Sequence, residues 1–190
     1  MFDRTRSHRR CPRLIPPLLA LTCIAPATVR ASERSAKNSV FVEGLGPGVV
    51  YSVNYERMVH DDLGVRAGLS YISMSASAGT TSASSTALFF PLTASYVGIS
   101  SGSHALELGG GATLFYGSGS ASSFGVSTEG SGMAALGSAS AGYRLQPLDG
   151  GFQFRVGLST LFGPGLSLST TDPAKWGAIP WGYISFGGTF

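Results

Sequence analysis

Residues 180–190 read PWGYISFGGTF and end the chain on an aromatic residue. Apolar and more polar side chains alternate along this stretch. Ile184, Phe186 and Phe190 share one face with Gly188. The residues of the opposite face are Tyr183, Ser185, Gly187 and Thr189. Because successive side chains of a strand point to opposite faces, the alternation predicts a β-strand with one apolar side.

This stretch resembles the last strand of Gram-negative outer-membrane β-barrels, whose terminal Phe and alternating apolar residues form the signal read by the barrel-assembly machinery. The matching residues are Ile184, Phe186 and Phe190, whereas Gly188 stands where such signals often carry an aromatic residue. The resemblance implies a small, eight-stranded, porin-like outer-membrane β-barrel protein, with outer-membrane lipid and the assembly machinery as partners. Soluble proteins also end in strands, so the rest of the chain has to distinguish a membrane barrel from a soluble fold.

The first residues of the chain have the pattern of an export signal. Five arginines lie within residues 1–13, and an apolar run follows at residues 14–21. This order predicts a secretory signal peptide, and its apolar core is shorter than the about 20 residues of a membrane-spanning helix. Cleavage could follow Ala27 or Ala31, and we favour Ala31 because the chain becomes polar there. The predicted organisation is a signal peptide at residues 1–31, a short segment at 32–38 and a barrel at 39–190.

The basic character of the chain belongs to this leader. Residues 1–31 carry six of the 13 Lys and Arg residues and one of the 10 Asp and Glu residues, so the mature chain has a formal charge of −2. A nucleic-acid partner is therefore not expected, since binding to nucleic acid requires clustered basic residues. Both cysteines, Cys11 and Cys23, leave with the leader. The mature chain then lacks disulfides, thiol nucleophiles and thiolate metal ligands.

The mature sequence predicts an all-β fold, an antiparallel up-and-down transmembrane β-barrel of about eight strands. Only 12% of residues are charged and the mean hydropathy is +0.21, whereas a soluble domain has roughly 25% charged residues. A closed sheet in which every second residue faces lipid accounts for the low charged fraction and the positive mean hydropathy. The predicted strands are 38–45, 49–59, 64–76, 86–99, 104–116, 133–145, 151–163 and 180–190. Residues 51–57 and 63–69 also resemble a strand–turn–strand phrase of uncharacterised bacterial outer-membrane barrels, and this architecture extends over residues 39–190.

Short and long connections alternate between these strands, as they do in membrane barrels. The sequence Gly46-Pro47-Gly48 makes the first connection very tight, so residues 39–59 form either two strands or one kinked strand. The Ser-, Gly-, Ala- and Thr-rich segments 73–85 and 117–132 are expected to be mobile outer loops. Residues 164–179, with Asp172, Lys175 and Trp176, are the better candidate for contact with a partner. Aromatic girdles are expected at Tyr55, Tyr96, Tyr143 and Phe190 on the periplasmic side and at Tyr51, Phe89, Phe162 and Trp181 on the outer side.

Strand register predicts a charge network inside the barrel. Asp149-Gly150 is a two-residue hairpin signal, and pairing Leu148 with Gly151 places Arg144 opposite Arg155 on the lumen face. Directly opposed arginines repel each other and need an acid. Strand parity offers Glu107 on the adjacent strand and Glu56 across the lumen, with Glu56 opposite Arg66. We expect this network to be buried, because a barrel of eight strands is just wide enough for side chains to fill it.

The sequence shows no pattern typical of an active site. The mature chain has only His60 and His104, both in predicted periplasmic turns and outside any catalytic motif. Asp61 and Asp62 beside His60 lack the converging ligands that a metal requires, and no cofactor is expected. We therefore predict a non-enzymatic outer-membrane protein with a structural or surface-interaction role and an unknown surface ligand. The alternatives are a narrow channel or transporter for small solutes, an outer-leaflet lipid-modifying enzyme and a soluble periplasmic ligand-binding barrel.

Overall fold

The computed structural model describes residues 34–164, 166 and 176–190, and within these ranges the chain forms eight strands. Their bounds are β1 Asn38–Leu45, β2 Tyr51–His60, β3 Leu63–Ala78, β4 Thr81–Ser101, β5 His104–Ser123, β6 Val126–Leu145, β7 Gly151–Pro164 and β8 Trp176–Thr189. The strands form a closed barrel in sequence order, with every neighbouring pair antiparallel. The predicted eight-stranded up-and-down architecture is confirmed. In the described part of the chain no helix is long and apolar enough to cross a membrane.

Two ends of the barrel can be distinguished. The lower end carries both ends of the described chain and the connections at residues 61–62, 102–103 and 146–150, and the upper end carries those at residues 46–50, 79–80 and 124–125. Ladder pairs from Ser39↔Thr189 to Leu45↔Tyr183 join β1 to β8 and close the ring. Asn38 and Phe190 exchange backbone hydrogen bonds of 2.9 and 2.8 Å at the lower end of this seam. The carboxy-terminal residue is therefore part of the ring closure.

The strands expose their apolar residues and bury their polar ones. On β2, Tyr51, Val53 and Tyr55 point outward and are 42–51% exposed, whereas Ser52 and Glu56 point inward and are fully buried. Within the closed ring, exposed and buried residues alternate along the other strands in the same way. Because water-soluble proteins place these residue classes the other way round, the ring has the surface of a membrane barrel.

Residues 39–59 form two strands rather than one kinked strand. The chain leaves β1 through Leu45 (φ 63°) and Gly46 (φ 68°), makes a 3₁₀ turn at Gly46–Gly48 and enters β2 after Val49 (φ 71°). All three residues of the turn are buried. The connection therefore folds into the barrel.

The expectation of mobile loops at residues 73–85 and 117–132 is wrong. These segments continue β3 to β6 as paired strands, and the connections between them shrink to residues 79–80 and 124–125. At the second tip, Phe124 (φ 50°) and Gly125 (φ 80°) have the positive φ values of a tight hairpin turn. Unbroken backbone ladders and cross-strand hydroxyl pairs, such as Ser84–Ser120 at 2.9 Å, stabilise the extension.

The connection between β6 and β7 has the predicted register but not the predicted turn. Arg144 lies opposite Arg155 and Tyr143 opposite Val156, yet the ladder ends at Leu145↔Phe154. Residues 146–150 form a five-residue connection instead of a two-residue hairpin. The reason is that the amino-terminal segment competes for this backbone, since the amides of Ser35 and Ala36 donate to the Leu148 carbonyl at 3.2 and 3.0 Å.

Other boundaries move by a few residues. Strand β8 begins at Trp176 rather than at residue 180, because its ladder with β7 continues up to Pro164↔Trp176. The predicted signal peptide at residues 1–31, Asp172 and Lys175 lie outside the described residues.

Candidate functional site: the charged lumen

Glu56 of β2 is the centre of a buried hydrogen-bond network in the lower half of the lumen. The Arg144 Nη1 donates to Glu56 Oε1 at 3.1 Å, and the Nη2 atoms of Arg144 and Arg155 both donate to Glu56 Oε2. The hydroxyls of Ser95 and Ser39 donate to the same carboxylate at 2.7 and 3.3 Å. Glu56, Arg144 and Arg155 are fully buried. One carboxylate thus accepts from two arginines that face each other on neighbouring strands.

Glu107 of β5 supplies the second acid of the same cluster. Its Oε1 lies 3.2 Å from Arg155 Nη1 and 3.8 Å from Arg144 Nη1, and the residue is 3% exposed. Each of the two opposed arginines therefore has two carboxylates as partners. The structure brings together the Glu56, Glu107, Arg144 and Arg155 side chains that strand parity had placed on the lumen face.

Arg66 lies opposite Glu56 in the β2–β3 ladder, but its side chain binds another acid. The Arg66 Nη1 donates to Glu43 Oε2 at 2.8 Å, and its Nε donates to Thr93 Oγ1 at 2.8 Å. Glu43 was not among the lumen residues predicted from the sequence. Its signal was available in β1, where Ser39, Phe41 and Glu43 alternate with exposed valines.

Phe41 and Gln153 connect the two ion-pair clusters. The ring centroid of Phe41 lies 4.2 Å from Arg155 Cζ and 5.7 Å from Arg66 Cζ, so its face attracts both cations. Gln153 is 1% exposed. With its amide oxygen directed toward the guanidinium groups, Gln153 accepts from Arg144 and Arg155 at 3.0–3.2 Å.

Among the described residues, the buried charged side chains are three carboxylates, Glu43, Glu56 and Glu107, and four guanidinium groups, Arg34, Arg66, Arg144 and Arg155. Arg66, Arg144 and Arg155 each form an ion pair with at least one of the three carboxylates. An unpaired ion would be costly in so enclosed a space, because desolvation is not offset by water. The network therefore fixes the relative positions of β1, β2, β3, β5, β6 and β7.

A plug at the upper side of this network closes the lumen. The Gly46–Gly48 turn enters the barrel from above, and its backbone carbonyls accept from opposite walls. Thr113 Oγ1 on β5 donates to the Pro47 carbonyl at 3.0 Å, and Trp181 Nε1 on β8 donates to the Gly46 carbonyl at 3.1 Å. Thr113 is fully buried.

Two expected girdle residues point inward instead. Trp181 holds the plug, and Phe89 is 8% exposed and packs on Phe115 at a centroid distance of 5.0 Å. Both residues lie at positions whose strand parity faces the lumen. Their aromatic character had predicted a lipid-facing position, but their place in the alternation of each strand directs both side chains into the lumen. Tyr51, Tyr55, Tyr96, Tyr143 and Phe190 are exposed on the outer surface.

The residues of the proposed assembly signal share the outer face of the last strand. Ile184, Phe186 and Phe190 are 41%, 50% and 65% exposed, whereas Tyr183 and Ser185 are buried in the lumen. Phe186 packs against Phe154 and Phe152 of β7 at centroid distances of 5.3 and 6.5 Å. The alternation read from the sequence describes this strand correctly.

The two histidines of the described residues lie at the lower end. His60 Nδ1 is 2.7 Å from Asp62 Oδ1, and His104 Nδ1 is 2.5 Å from the Tyr143 hydroxyl. Across residues 34–164 and 176–190, no group of three or more His, Cys, Asp or Glu residues is arranged to hold a metal ion.

No protein-family model matches the chain, and no curated protein matches it. Among solved structures, the N-terminal β-barrel domain of Pseudomonas aeruginosa OprF is 14% identical, with a TM-score of 0.43, and the match covers 82% of this chain and 99% of that domain. Ail, the attachment invasion locus protein of Yersinia pestis, is 16% identical, with TM-scores of 0.44 and 0.45 in two structures, one in complex with the heparin analogue sucrose octasulfate. The Ail matches cover 81% of this chain and 97% of Ail. Since these TM-scores lie below 0.5, the architecture rests on the strand pairing of this chain itself.

Proposed function

We propose that the chain is an outer-membrane β-barrel protein with a structural or surface-interaction role and a lumen filled by side chains. The observation that carries this proposal is the inversion of polarity across a closed ring. Large apolar side chains cover the outside, whereas carboxylates and guanidinium groups are buried inside. Lipid is the solvent that makes this inversion favourable, because a closed sheet satisfies its backbone groups internally.

The height of the apolar band supports a membrane location. On β5 the outward residues run from Leu106 to Tyr116 before the first outward serine, Ser118. Ten steps of about 3.3 Å from residue 106 to residue 116, tilted by about 45°, give a height of roughly 23 Å, close to the about 25 Å apolar band of outer-membrane barrels. Tyr143 and Tyr116 lie near the two edges of this band.

The filled lumen argues against an open channel. Two successive layers, the Glu56 cluster and the Pro47 plug, contain side chains with no exposed surface. A narrow channel for small solutes would require both layers to move. The alternative of an outer-leaflet lipid-modifying enzyme has no support from the described histidines, since His60 and His104 lie at the lower end.

Gel migration and conductance test the proposal together. The folded protein in the outer-membrane fraction should migrate differently before and after boiling, because a barrel resists unfolding by detergent until it is heated. The purified protein in planar bilayers should show no stepwise conductance. Recovery in the soluble periplasmic fraction would contradict the membrane location, and regular single-channel steps would favour the channel alternative.

A further inference from the structure

Four strands extend the barrel on one side beyond its closed ring. The β2–β3 ladder ends at Val53↔Leu69 and the β6–β7 ladder at Gly137↔Phe162, whereas the ladders among β3, β4, β5 and β6 continue to their tips. We call residues 73–78 of β3, 81–86 of β4, 117–123 of β5 and 126–132 of β6 the hydroxyl wall. Its register is unbroken from the barrel upward.

Hydroxyl side chains occupy almost the whole outward face of this wall. Its outward positions continue the faces of Tyr71 and Tyr116, which are 50% and 38% exposed. Eleven of the twelve outward positions are Ser or Thr, and the twelfth is Glu129. The other face carries mainly alanine and glycine, such as Ala83 and Gly119. The two faces are therefore chemically distinct.

The change from apolar to hydroxyl side chains occurs at one level on all four strands. Tyr71, Leu88, Tyr116 and Met133 are ladder partners in one outward row. Two residues further along each strand, the next outward row is Ser73, Thr86, Ser118 and Ser131. Aromatic residues at the edge of a membrane protein lie at headgroup level. The hydroxyl rows thus begin where the surrounding lipid presents its headgroups, and they are continuous with the lipid-facing surface.

Two adjoining grooves shape this outward face. Their volumes are about 370 and 410 Å³, and both are lined by Ser84, Ser120 and Glu129. The hydroxyls of Ser84 and Ser120 hydrogen-bond at 2.9 Å, and those of Ser82 and Ser122 at 2.8 Å. Each such pair uses one of its two protons, so a donor and acceptor lone pairs stay free for a ligand.

The chemistry of the wall favours an uncharged, hydroxyl-rich ligand. Residues 73–86 and 117–132 contain no Lys, Arg or His, so phosphate or sulfate would find no cation there. The hydroxyls of a sugar both donate and accept, which matches serine hydroxyls, and they can donate to the Glu129 carboxylate. Resting on the membrane location proposed above, we propose that the outward face of the hydroxyl wall binds the saccharide headgroups of glycolipids in the surrounding leaflet.

Lipid retention in mixed vesicles tests this binding. The mature protein is reconstituted in phosphatidylcholine containing digalactosyldiacylglycerol, whose headgroup is an uncharged disaccharide, and the lipids that stay with it on mild detergent extraction are quantified. The glycolipid-to-phosphatidylcholine ratio should exceed that of the vesicles by about fivefold, which corresponds to about 1 kcal/mol. The combined variant Ser84→Ala, Ser120→Ala and Glu129→Gln should return the ratio to that of the vesicles.

A matched control lies on the opposite face of the same strands. Thr81 and Ser123 form a hydroxyl pair of 2.9 Å there, so Thr81→Val with Ser123→Ala removes a similar pair and should keep the enrichment. Equal enrichment in wild type and wall variant, or none in either, would overturn the proposal. Binding of free digalactose without lipid enrichment would also overturn it, by assigning the wall a soluble saccharide. Heat-modifiable migration of every sample separates these results from a failure of the barrel assignment itself.

Discussion

The charged lumen and the hydroxyl wall use the same strand alternation to opposite effect. In the lumen, alternate residues are long and ionised, and they contact partners on distant strands such as Glu56 with Arg155. In the wall, the polar residues are short and uncharged, and they contact only the neighbouring strand, as Ser84 contacts Ser120. The lumen is enclosed and the wall is exposed, which accounts for the difference. A buried charge needs a charged partner, whereas an exposed hydroxyl can exchange one hydrogen-bond partner for another. The lumen should therefore determine stability, and the wall should be free to serve binding.

The largest effect is expected at the seam on which both regions depend. Phe190→Ala should lower the amount of protein assembled in the outer membrane and expose the chain to periplasmic proteases, since we propose that Phe190 belongs to the signal for the assembly machinery. Phe152→Ala is the matched control, because Phe152 is a similarly exposed aromatic residue on the neighbouring strand. Immunoblots of membrane fractions measure both variants. Unchanged levels of Phe190→Ala would count against the signal.

Glu56→Gln should be the most destabilising single change in the lumen. The substitution keeps the size of the side chain but leaves Arg144 and Arg155 with one fewer negative partner, so the free energy of unfolding should fall by about 3–5 kcal/mol. Urea unfolding in lipid vesicles provides the value. Glu129→Gln in the hydroxyl wall is the control and should change it by less than about 0.5 kcal/mol. Similar losses in both variants would remove the distinction between the two regions.

A smaller effect is expected at the plug. Trp181→Phe removes the hydrogen bond to the Gly46 carbonyl while retaining an aromatic ring, and should cost about 0.5–1.5 kcal/mol. Trp176→Phe is the control, because Trp176 is 69% exposed. The same variants in planar bilayers test whether the plug closes the lumen, with conductance expected only for Trp181→Phe. Conductance from Trp176→Phe alone would contradict this arrangement.

The smallest change in stability is expected in the wall. Ser84→Ala with Ser120→Ala removes one cross-strand hydroxyl pair, which contributes about 0.2–1 kcal/mol. The same urea titration should give a midpoint close to that of the wild type. A loss comparable to that of Glu56→Gln would show that the hydroxyl ladders are a main source of stability rather than a surface available for ligands.

How far the sequence predicts this molecule depends on how strongly each strand alternates. In β7 and β8, large apolar residues at every second position indicated the faces, and the Asp149-Gly150 signal gave the β6–β7 register that places Arg144 opposite Arg155. In the wall, the alternation is serine against alanine or glycine, a contrast too weak in hydropathy to separate a strand from a loop. Only the pairing of four such segments with one another reveals the strands.

The candidate site was predictable where charge and parity coincided. Glu56, Glu107, Arg144 and Arg155 lie on inward positions of strands whose faces were clear from their apolar residues. The inward position of Glu43 could be read from the alternation of β1, but its pairing with Arg66 could not, because Glu43 on β1 contacts Arg66 on β3 past the intervening strand β2. The inward fold of residues 46–48 depends likewise on contacts with β5 and β8, which no local pattern encodes.

A double-mutant cycle on Glu107 and Arg155 tests the buried network most directly. Their side chains are 3.2 Å apart, with 5% and 0% of their side-chain surface exposed. Urea unfolding in lipid of Glu107→Gln, Arg155→Gln and the double variant gives the free energy that couples the two residues. We expect each single variant to lose about 3 kcal/mol or more, and the double variant to lose clearly less than the sum. Additive losses below about 1 kcal/mol would instead describe solvated surface charges and contradict a buried network.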